Sequence, residues 1–198
     1  PTLPRFLHRW EHIHQVSPQY LDAAVADGVG SERQTLLPYG VPIAPEPSFL
    51  QTAERASLRE KLGLPVERPV LLSVGAINRS RKRMDYLIQE VASMGAGRPY
   101  LLLVGALEED SDALVRMGQD LLPGGFGVRS VEREQVRDYY RAADAFALAS
   151  VAEGFGLVYV EALSHGLPCL VHDYPTSRFV LGDVGNFGDF LQPGSLAA

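Results

Sequence analysis

Residues 70–104 read VLLSVGAINRSRKRMDYLIQEVASMGAGRPYLLLV. The stretch holds an apolar run at Val70–Val74, an amphipathic segment at Asp85–Met94 and a second apolar run at Tyr100–Val104. Continuous apolar runs are typical of strands buried on both faces of a parallel sheet, and the amphipathic segment between them fits a crossover helix. The stretch therefore predicts a strand, a helix and a second parallel strand in succession.

The same alternation continues to the end of the chain. Predicted helices are Asp112–Leu122, Glu132–Ala142, Gly156–His165 and a short one at Arg178–Gly182. Predicted strands are Ala145–Ala149, Pro168–Val171 and a last one near Phe187–Leu191. Together these elements predict an α/β fold with a doubly wound parallel sheet of five or six strands.

The first part of the chain has a different pattern. Two short strands, His12–Val16 and Thr35–Leu37, enclose a predicted helix at Pro18–Ala26, and two strands are too few for an independent domain. Tyr39–Pro47 contains three prolines and a glycine, which oppose both helix and ladder pairing, so we expect a linker there. A charged helix is predicted next, at Phe49–Leu62.

Composition narrows the class of protein. The chain has 198 residues and a formal net charge of −6, which disfavours nucleic acid as a partner. Its apolar runs are far shorter than the roughly 20 residues of a membrane span. The single cysteine, Cys169, lies in an apolar run and indicates a buried thiol in a reducing compartment such as the cytoplasm. The chain begins at Pro1, so we expect that the natural start lies upstream.

The loop after the first strand of the sheet is strongly basic. It reads GAINRSRKR over residues 75–83, with Arg79, Arg81, Lys82 and Arg83 close together. Loops at the carboxyl ends of parallel strands form the ligand crevice of a doubly wound sheet. Gly75 allows close approach, and the cations suit a pyrophosphate. The alternative is a solvated basic turn that leads into a helix.

A second loop combines glycines with two glutamates. Residues 152–168 read AEGFGLVYVEALSHGLP, in which Glu153 and Glu161 are separated by seven residues. Gly154 and Gly156 let backbone amides at a helix start face an anionic ligand. Carboxylates accept hydrogen bonds from vicinal hydroxyls of a sugar or ribose. The pattern indicates a site for a sugar phosphate or a nucleotide.

This glutamate motif closely resembles the signature of the retaining glycosyltransferase family 4, which has the GT-B fold. Three further segments agree with it: QVSP at 15–18, LPYGV at 37–41 and YRAADAF at 140–146. The resemblance covers nearly the whole chain. It implies that 1–44 are a remnant of the N-terminal, acceptor-side domain with the linker, and that 45–198 are the C-terminal Rossmann-like domain, which binds the nucleotide sugar and is truncated at its end.

The resemblance also implies roles for particular residues. Glu161 would bind the ribose hydroxyls of a UDP- or GDP-sugar, Glu153 would contact the transferred sugar, and Lys82 would bind the diphosphate. Glu153 and Lys82 are therefore the candidate catalytic residues. The remaining donor-binding candidates are Gly75, Arg79, Arg81, Arg129, Val131, Phe155, Gly156 and Leu157.

The reaction that the resemblance implies is transfer of the sugar with retention of configuration, without a cofactor and without a metal. Cations and a helix N-terminus would neutralise the leaving phosphate. The acceptor, a sugar, lipid or glycan, would be chosen by the N-terminal half, and that half could also place the intact enzyme at the cytoplasmic membrane face. Asp110-Ser111-Asp112 has the spacing of metal-binding carboxylates, but acidic residues are also favoured at a helix start.

Two departures keep alternatives open. The family usually has arginine directly after the first-loop glycine, where this chain has Ala76, and Arg79 or Arg81 would have to supply that charge. The acceptor-side half is short. A non-catalytic nucleotide-sugar-binding module is therefore an alternative, as is an epimerase or phosphorylase that shares the fold. A nicotinamide enzyme is disfavoured because no Gly-x-Gly-x-x-Gly follows the first strand.

Overall fold

A computed structural model of the chain describes residues 9–42 and 52–197. The elements of the N-terminal part are β1 (Ile13–Gln15), α1 (Pro18–Ala26) and β2 (Gln34–Leu36). The strands of the main body are β3 (Val70–Val74), β4 (Tyr100–Val104), β5 (Phe126–Arg129), β6 (Ala145–Leu148), β7 (Cys169–His172) and β8 (Gly185–Gly188). Its helices are α2 (Thr52–Leu62), α3 (Met84–Ser93), α4 (Ser111–Leu121), α5 (Val136–Ala142), α6 (Leu157–Ser164) and α7 (Pro175–Leu181).

The main body is a six-stranded sheet in the order β5-β4-β3-β6-β7-β8, and every pairing is parallel. Both faces are covered. Leu72 and Phe146 pack with Tyr159 in one core, whereas Leu71 and Leu103 face the other core with α3 and α4. Because successive strand residues point to opposite faces, one run of apolar residues supplies both cores. The predicted α/β doubly wound fold is confirmed.

Several predicted elements have different boundaries. β5 was not predicted, because Gly127 and Arg129 interrupt its apolar run and weaken the strand signal. β8 starts earlier than predicted, and two of its four residues are glycine. α7 also starts earlier, at Pro175, where proline suits the first helical position. Residues 133–135 form a 3₁₀ turn before α5, where one continuous helix was predicted.

Asp144 links α2 to β3 at the edge of the sheet where the strands begin. Its Oδ2 accepts hydrogen bonds from Arg59 Nη2 at 2.5 Å and from the amide of Val70 at 2.7 Å. Arg55 forms a second ion pair with Oδ1 at 3.2 Å. Arg59 is buried and also donates to the carbonyl of Ala142 at 2.8 Å. This cluster fixes α2 against β3 and β6, so Asp144 has a structural place remote from the carboxyl ends of the strands.

The N-terminal part forms a two-stranded parallel sheet that is joined through α1. The side chain of Thr176 in α7 donates to Gln19 Oε1 at 2.9 Å, and the ring of Tyr39 lies edge-on to that of Phe155 at 5.5 Å. This part therefore contacts the loop before α6. Residues 43–51, which include part of the predicted linker, the expected domain boundary at 44/45 and the start of the helix predicted at 49–62, lie outside the described residues, as do 1–8 and Ala198.

Among the described residues, no helix combines the length and the apolar character needed to cross a bilayer.

Candidate functional site

The strand order changes direction between β3 and β6. From β3 the chain proceeds outward to β4 and β5, whereas β6, β7 and β8 follow on the other side. Loops that leave neighbouring strands in opposite directions open a crevice at the carboxyl edge, where ligands of this fold class bind. The two loops at this point are the basic loop, residues 75–83, and the glutamate loop, residues 149–156. Both were singled out from the sequence.

Lys82 of the basic loop and Glu153 of the glutamate loop form an ion pair across this crevice. The Nζ–Oε1 distance is 2.5 Å, and the side chains are 17% and 16% exposed. The aliphatic chain of Lys82 passes over Gly75. A Cβ added at Gly75 would lie only 3.1 Å from Lys82 Cε. Gly75 has φ +153°, a conformation that favours glycine. The two candidate catalytic residues are therefore in contact, and a glycine makes room for one of them.

Asn78 shapes the basic loop from within. Its Oδ1 accepts the backbone amides of Arg81 at 3.0 Å and Lys82 at 2.8 Å. Its carbonyl accepts the amide of Met84 at 3.1 Å, and its Nδ2 donates to Glu108 Oε2 at 2.8 Å. An asparagine side chain that bonds nearby backbone amides stabilises a tight turn. Asn78 was missed in the sequence, although an asparagine before a basic turn is the signal that could have shown it.

Arg83 holds the end of the loop in an unusual conformation. Its φ is +50°, and it is the sole described residue other than glycine with positive φ. The guanidinium donates to the carbonyl of Phe190 at 2.7 Å and lies 4.9 Å from the centre of the Tyr86 ring. A strained backbone of this kind persists because its surroundings hold it in place. The residue next to Lys82 is thus tied to the C-terminal segment.

Two other predicted cations do not join the buried pair. Arg81 Nη2 binds Glu108 Oε1 at 2.8 Å, and the Arg81 side chain is 70% exposed. Arg79 is exposed, and its backbone amide donates to Asp110 Oδ2 at 2.8 Å. Asp110 is the N-cap residue of α4, and its side chain makes no capping hydrogen bond to that helix. The structure therefore places these two arginines at the rim, with acidic partners on the loop after β4.

The glutamate loop ends where α6 begins. Gly156 has φ +83° and is the N-cap of the helix, whose first residue is Leu157. A Cβ at Gly156 would collide with the ring of Tyr159. Phe155 is buried. The predicted residues Phe155, Gly156 and Leu157 thus form the turn that brings backbone amides to the carboxyl edge.

Glu161 lies on α6 and receives a hydrogen bond from a tyrosine. Tyr140 Oη donates to Glu161 Oε2 at 2.9 Å, and Arg133 Nη2 lies 3.9 Å from Glu161 Oε1. Burial, followed by the charge of Glu161, raises the pKa of Tyr140 well above its usual range. His165 stacks on the Tyr140 ring at 5.2 Å. Tyr140 is therefore a neutral donor that orients one oxygen of the Glu161 carboxylate.

Arg129 and Val131 follow the carboxyl end of β5. Arg129 Nη1 donates to the carbonyl of Val128 at 3.0 Å, and both predicted residues are half-buried. Val131 packs against the core that contains Tyr140. Val131 thus lies on the face of the sheet that carries Tyr140, and neither residue contacts the Lys82–Glu153 pair in the described parts of the chain.

Two phenols lie close to Glu153. Tyr159 Oη and Tyr174 Oη are 3.2 Å apart. Burial raises the pKa of Tyr174 to about 12, and burial raises the pKa of Tyr159 above its usual range, with the Glu153 charge adding to the shift in both phenols. Tyr159 is fully buried, and the two neutral hydroxyls add no charge beside Glu153. The sequence patterns did not indicate them.

A groove of about 590 Å³ occurs at the opposite edge of the sheet, beside Arg68 and Arg98. The guanidinium of Arg68 donates to the carbonyls of Arg98 at 2.9 Å, Pro99 at 3.2 Å and Gly124 at 3.3 Å. Its donors are thus occupied in holding loops together. Residues 9–42 and 52–197 contain no group of three or more His, Cys, Asp or Glu side chains placed to hold a metal ion.

Comparison with solved structures places the fold. The chain superposes on the crystal structure of Anabaena Alr3699/HepE in complex with UDP with a TM-score of 0.81 and 20% identity, covering 94% of this chain and 52% of that one. The complex of the same protein with UDP-glucose gives a TM-score of 0.78 and 20% identity, over 94% and 51%. The fold is that of GT-B glycosyltransferases.

Sequence comparison gives the family. The chain is 34% identical over 152 residues to the D-inositol 3-phosphate glycosyltransferase of Xylanimonas cellulosilytica, covering 71% of this chain and 35% of that protein. It is 32% identical over 182 residues to the protein of that name from Streptomyces coelicolor, covering 81% and 39%. The chain spans about a third to two fifths of these relatives. The family profile described as "Glycosyl transferases group 1" matches residues 68–195, more than half of the chain. The resemblance drawn from the glutamate motif is confirmed: the chain belongs to the group 1 family of glycosyl transferases.

Proposed function

We propose that this chain supplies the donor-binding half of a glycosyltransferase. Residues 45–198 bind a UDP- or GDP-sugar, and 1–44 are the end of the acceptor-side half with its linker. The observation that carries the proposal is the contact between Lys82 and Glu153 at the point where the strand order reverses. A cation for a diphosphate and a carboxylate for sugar hydroxyls adjoin there, as sugar transfer from such a donor requires.

Lys82 and the turn before α6 act on the diphosphate. The ammonium forms a charge-assisted hydrogen bond to a phosphate oxygen, and the backbone amides of Gly156 and Leu157 face the same ligand. Charge develops on the leaving phosphate as the glycosidic bond breaks, so donors fixed in advance stabilise the transition state more than the ground state. Glu153 holds hydroxyls of the transferred sugar.

Glu161 binds the ribose. Its Oε2 is already oriented by Tyr140 at 2.9 Å, which leaves Oε1 to accept from a ribose hydroxyl. Arg129 and Val131, at and just after the carboxyl end of β5, flank the base. The nucleotide therefore extends from α6 toward the end of β5, with its diphosphate over Lys82.

The relatives support a uracil nucleotide as the first probe, because the Anabaena protein of the same fold was solved with UDP and with UDP-glucose. We propose transfer with retention of configuration to a sugar, lipid or glycan acceptor, with a diphosphate oxygen helping to deprotonate that acceptor. The buried free thiol of Cys169 fits a reducing compartment, and we propose the cytoplasm.

A second candidate is a module that binds nucleotide sugars without transferring them. It is favoured by Ala76, where the family usually has arginine, and by the cancellation of the Lys82 charge by Glu153. An assay of transfer by a protein that contains both halves separates the two candidates. Product formation with retained anomeric configuration, read by proton NMR, supports the transferase.

The test of donor binding is calorimetric titration of the chain with UDP and with GDP, without added metal. We expect saturable binding to one nucleotide, and binding weakened about tenfold or more in Lys82→Met and in Glu161→Gln, since each loses a charge-assisted contact. Lys61→Met and Glu60→Gln, exposed substitutions on α2, are the matched controls. Equal binding by all five proteins would show that the nucleotide binds elsewhere. Absence of binding to the wild type would contradict the proposed function.

A further inference from the structure

The Lys82–Glu153 pair cancels charge at the place where a phosphate would bind. Both side chains are largely buried and 2.5 Å apart, and neither has a second salt-bridge partner among the described residues. Burial strengthens electrostatic interactions, so the Glu153 carboxylate repels any anion that approaches the Lys82 ammonium. The positive charge of Lys82 is therefore largely neutralised by the carboxylate of Glu153.

A phosphate bound to Lys82 is necessarily near Glu153. An oxygen about 2.8 Å from the ammonium lies within about 5 Å of the Glu153 carboxylate. The terminal phosphate of a free nucleoside diphosphate is close to doubly ionised at neutral pH and has no hydrogen to donate to that carboxylate. In a nucleotide sugar the same phosphate carries less charge, and the attached sugar has hydroxyl donors.

Other charged groups nearby do not offset this repulsion. Arg81 is paired with Glu108 at 2.8 Å, and Arg83 is directed to the carbonyl of Phe190 at 2.7 Å. Tyr174 stays protonated at neutral pH, because burial raises its pKa to about 12. The charge of Glu153 is therefore balanced by Lys82 alone within the described residues.

We propose that the Glu153 carboxylate makes this site prefer a diphosphate that carries a sugar over the free nucleoside diphosphate, so that the product of transfer is repelled. This inference rests on the proposed function and extends it from donor binding to product release. Glu153 thereby determines specificity: its hydrogen bonds to sugar hydroxyls favour the donor, and its charge disfavours the product that lacks them.

The test compares the dissociation constants of UDP and UDP-glucose for the wild type and for Glu153→Gln. Glutamine keeps the shape of the side chain and removes its charge. We expect Glu153→Gln to bind UDP about tenfold more tightly, because a repulsion close to a buried ammonium is lost. UDP-glucose should gain much less or bind more weakly, since a charged acceptor is replaced by a neutral one.

Glu109→Gln is the matched control, because it makes the same change in net charge at an exposed position. Glu153→Ala is the second variant if glutamine disturbs folding. Unchanged or weaker UDP binding in both Glu153 variants, with normal binding by the wild type, overturns this inference and leaves the proposed function intact. Binding of neither ligand to any of the proteins overturns both.

Discussion

Arg59 and Asp144 form a 2.5 Å ion pair at the amino edge of the sheet, and Arg59 is 6% exposed at its side chain. Asp144 directly precedes β6, the strand whose carboxyl end leads to Glu153. The two ends of this strand therefore have separate roles. One end anchors α2 to the sheet, and the other presents the glutamate loop to the crevice.

Loss of Asp144 should destabilise the fold without removing the site. Asp144→Ala leaves the Arg59 guanidinium buried without its carboxylate, which we expect to lower the free energy of unfolding by about 3 kcal/mol. Asp138→Ala is the matched control, because Asp138 and its partner Arg141 are 48% and 34% exposed, and its loss should cost less than about 1 kcal/mol. Urea unfolding measures both. Equal losses would show that the Arg59–Asp144 pair contributes no more than a surface pair.

Tyr140 should tune binding at the ribose. Tyr140→Phe removes the 2.9 Å hydrogen bond to Glu161, so we expect UDP to bind about tenfold more weakly, in line with a lost bond to a charged group. Preference for UDP over 2′-deoxy-UDP should fall as well, which a merely structural change would not cause. Tyr139→Phe is the control, since the Tyr139 hydroxyl has no hydrogen bond in the described parts of the chain. An unchanged preference in Tyr140→Phe would contradict this role.

The basic loop and the loop after β4 approach each other through glycines. Gly105 has φ +157°, and a Cβ there would collide with the carbonyl oxygen of Gly75. Gly105→Ala should therefore lower the free energy of unfolding by about 1–3 kcal/mol and weaken UDP binding by displacing the basic loop. Gly97→Ala provides the comparison, because Gly97 has φ +92° and open space around it. If Gly105→Ala lowers the free energy of unfolding and UDP binding no more than Gly97→Ala does, the close approach of the two loops is not important for either.

Cys169 should make the free energy of unfolding fall as the pH rises through the alkaline range. Burial raises the pKa of the folded thiol from 9.0 to about 12. Above pH 9 the unfolded chain therefore loses this proton first, and the folded state loses stability between pH 9 and 12, by at most about 1.4 kcal/mol per pH unit. Unfolding of the wild type and of Cys169→Ala at pH 7 and pH 10 measures the effect. The wild type should lose about 1 kcal/mol more than the variant, and equal losses would contradict the shift.

The sequence predicts an element well where apolar residues follow one another along it. The strand at 100–104 is a continuous apolar run and the strand at 70–74 is apolar apart from Ser73, and the predicted bounds of both match the structure. β5 was missed because Gly127 and Arg129 do not look like a buried strand. A short strand with one glycine and one arginine becomes a strand through its pairing with β4, which no local pattern shows.

The candidate site was predictable as two separate loops but not as one arrangement. Lys82 and Glu153 are 71 positions apart, and they meet because β6 lies beside β3, an order that the sequence does not reveal. Tyr140 belongs to the segment YRAADAF that resembles the family, yet its bond to Glu161 depends on how α5 and α6 pack. The turn formed by Asn78 is local, and it was the part of the site that closer attention to asparagine would have found.

Hydrogen–deuterium exchange of the chain with and without saturating UDP tests most directly where the nucleotide lies. If the donor site is formed by the basic loop and the glutamate loop, exchange should slow in residues 75–84 and 153–161 and stay unchanged in residues 95–98 at the opposite edge. Lys82→Met at the same UDP concentration should lose this protection. Protection confined to 67–68 and 95–98, beside the groove that Arg68 lines, would contradict the assignment of the site to the carboxyl edge.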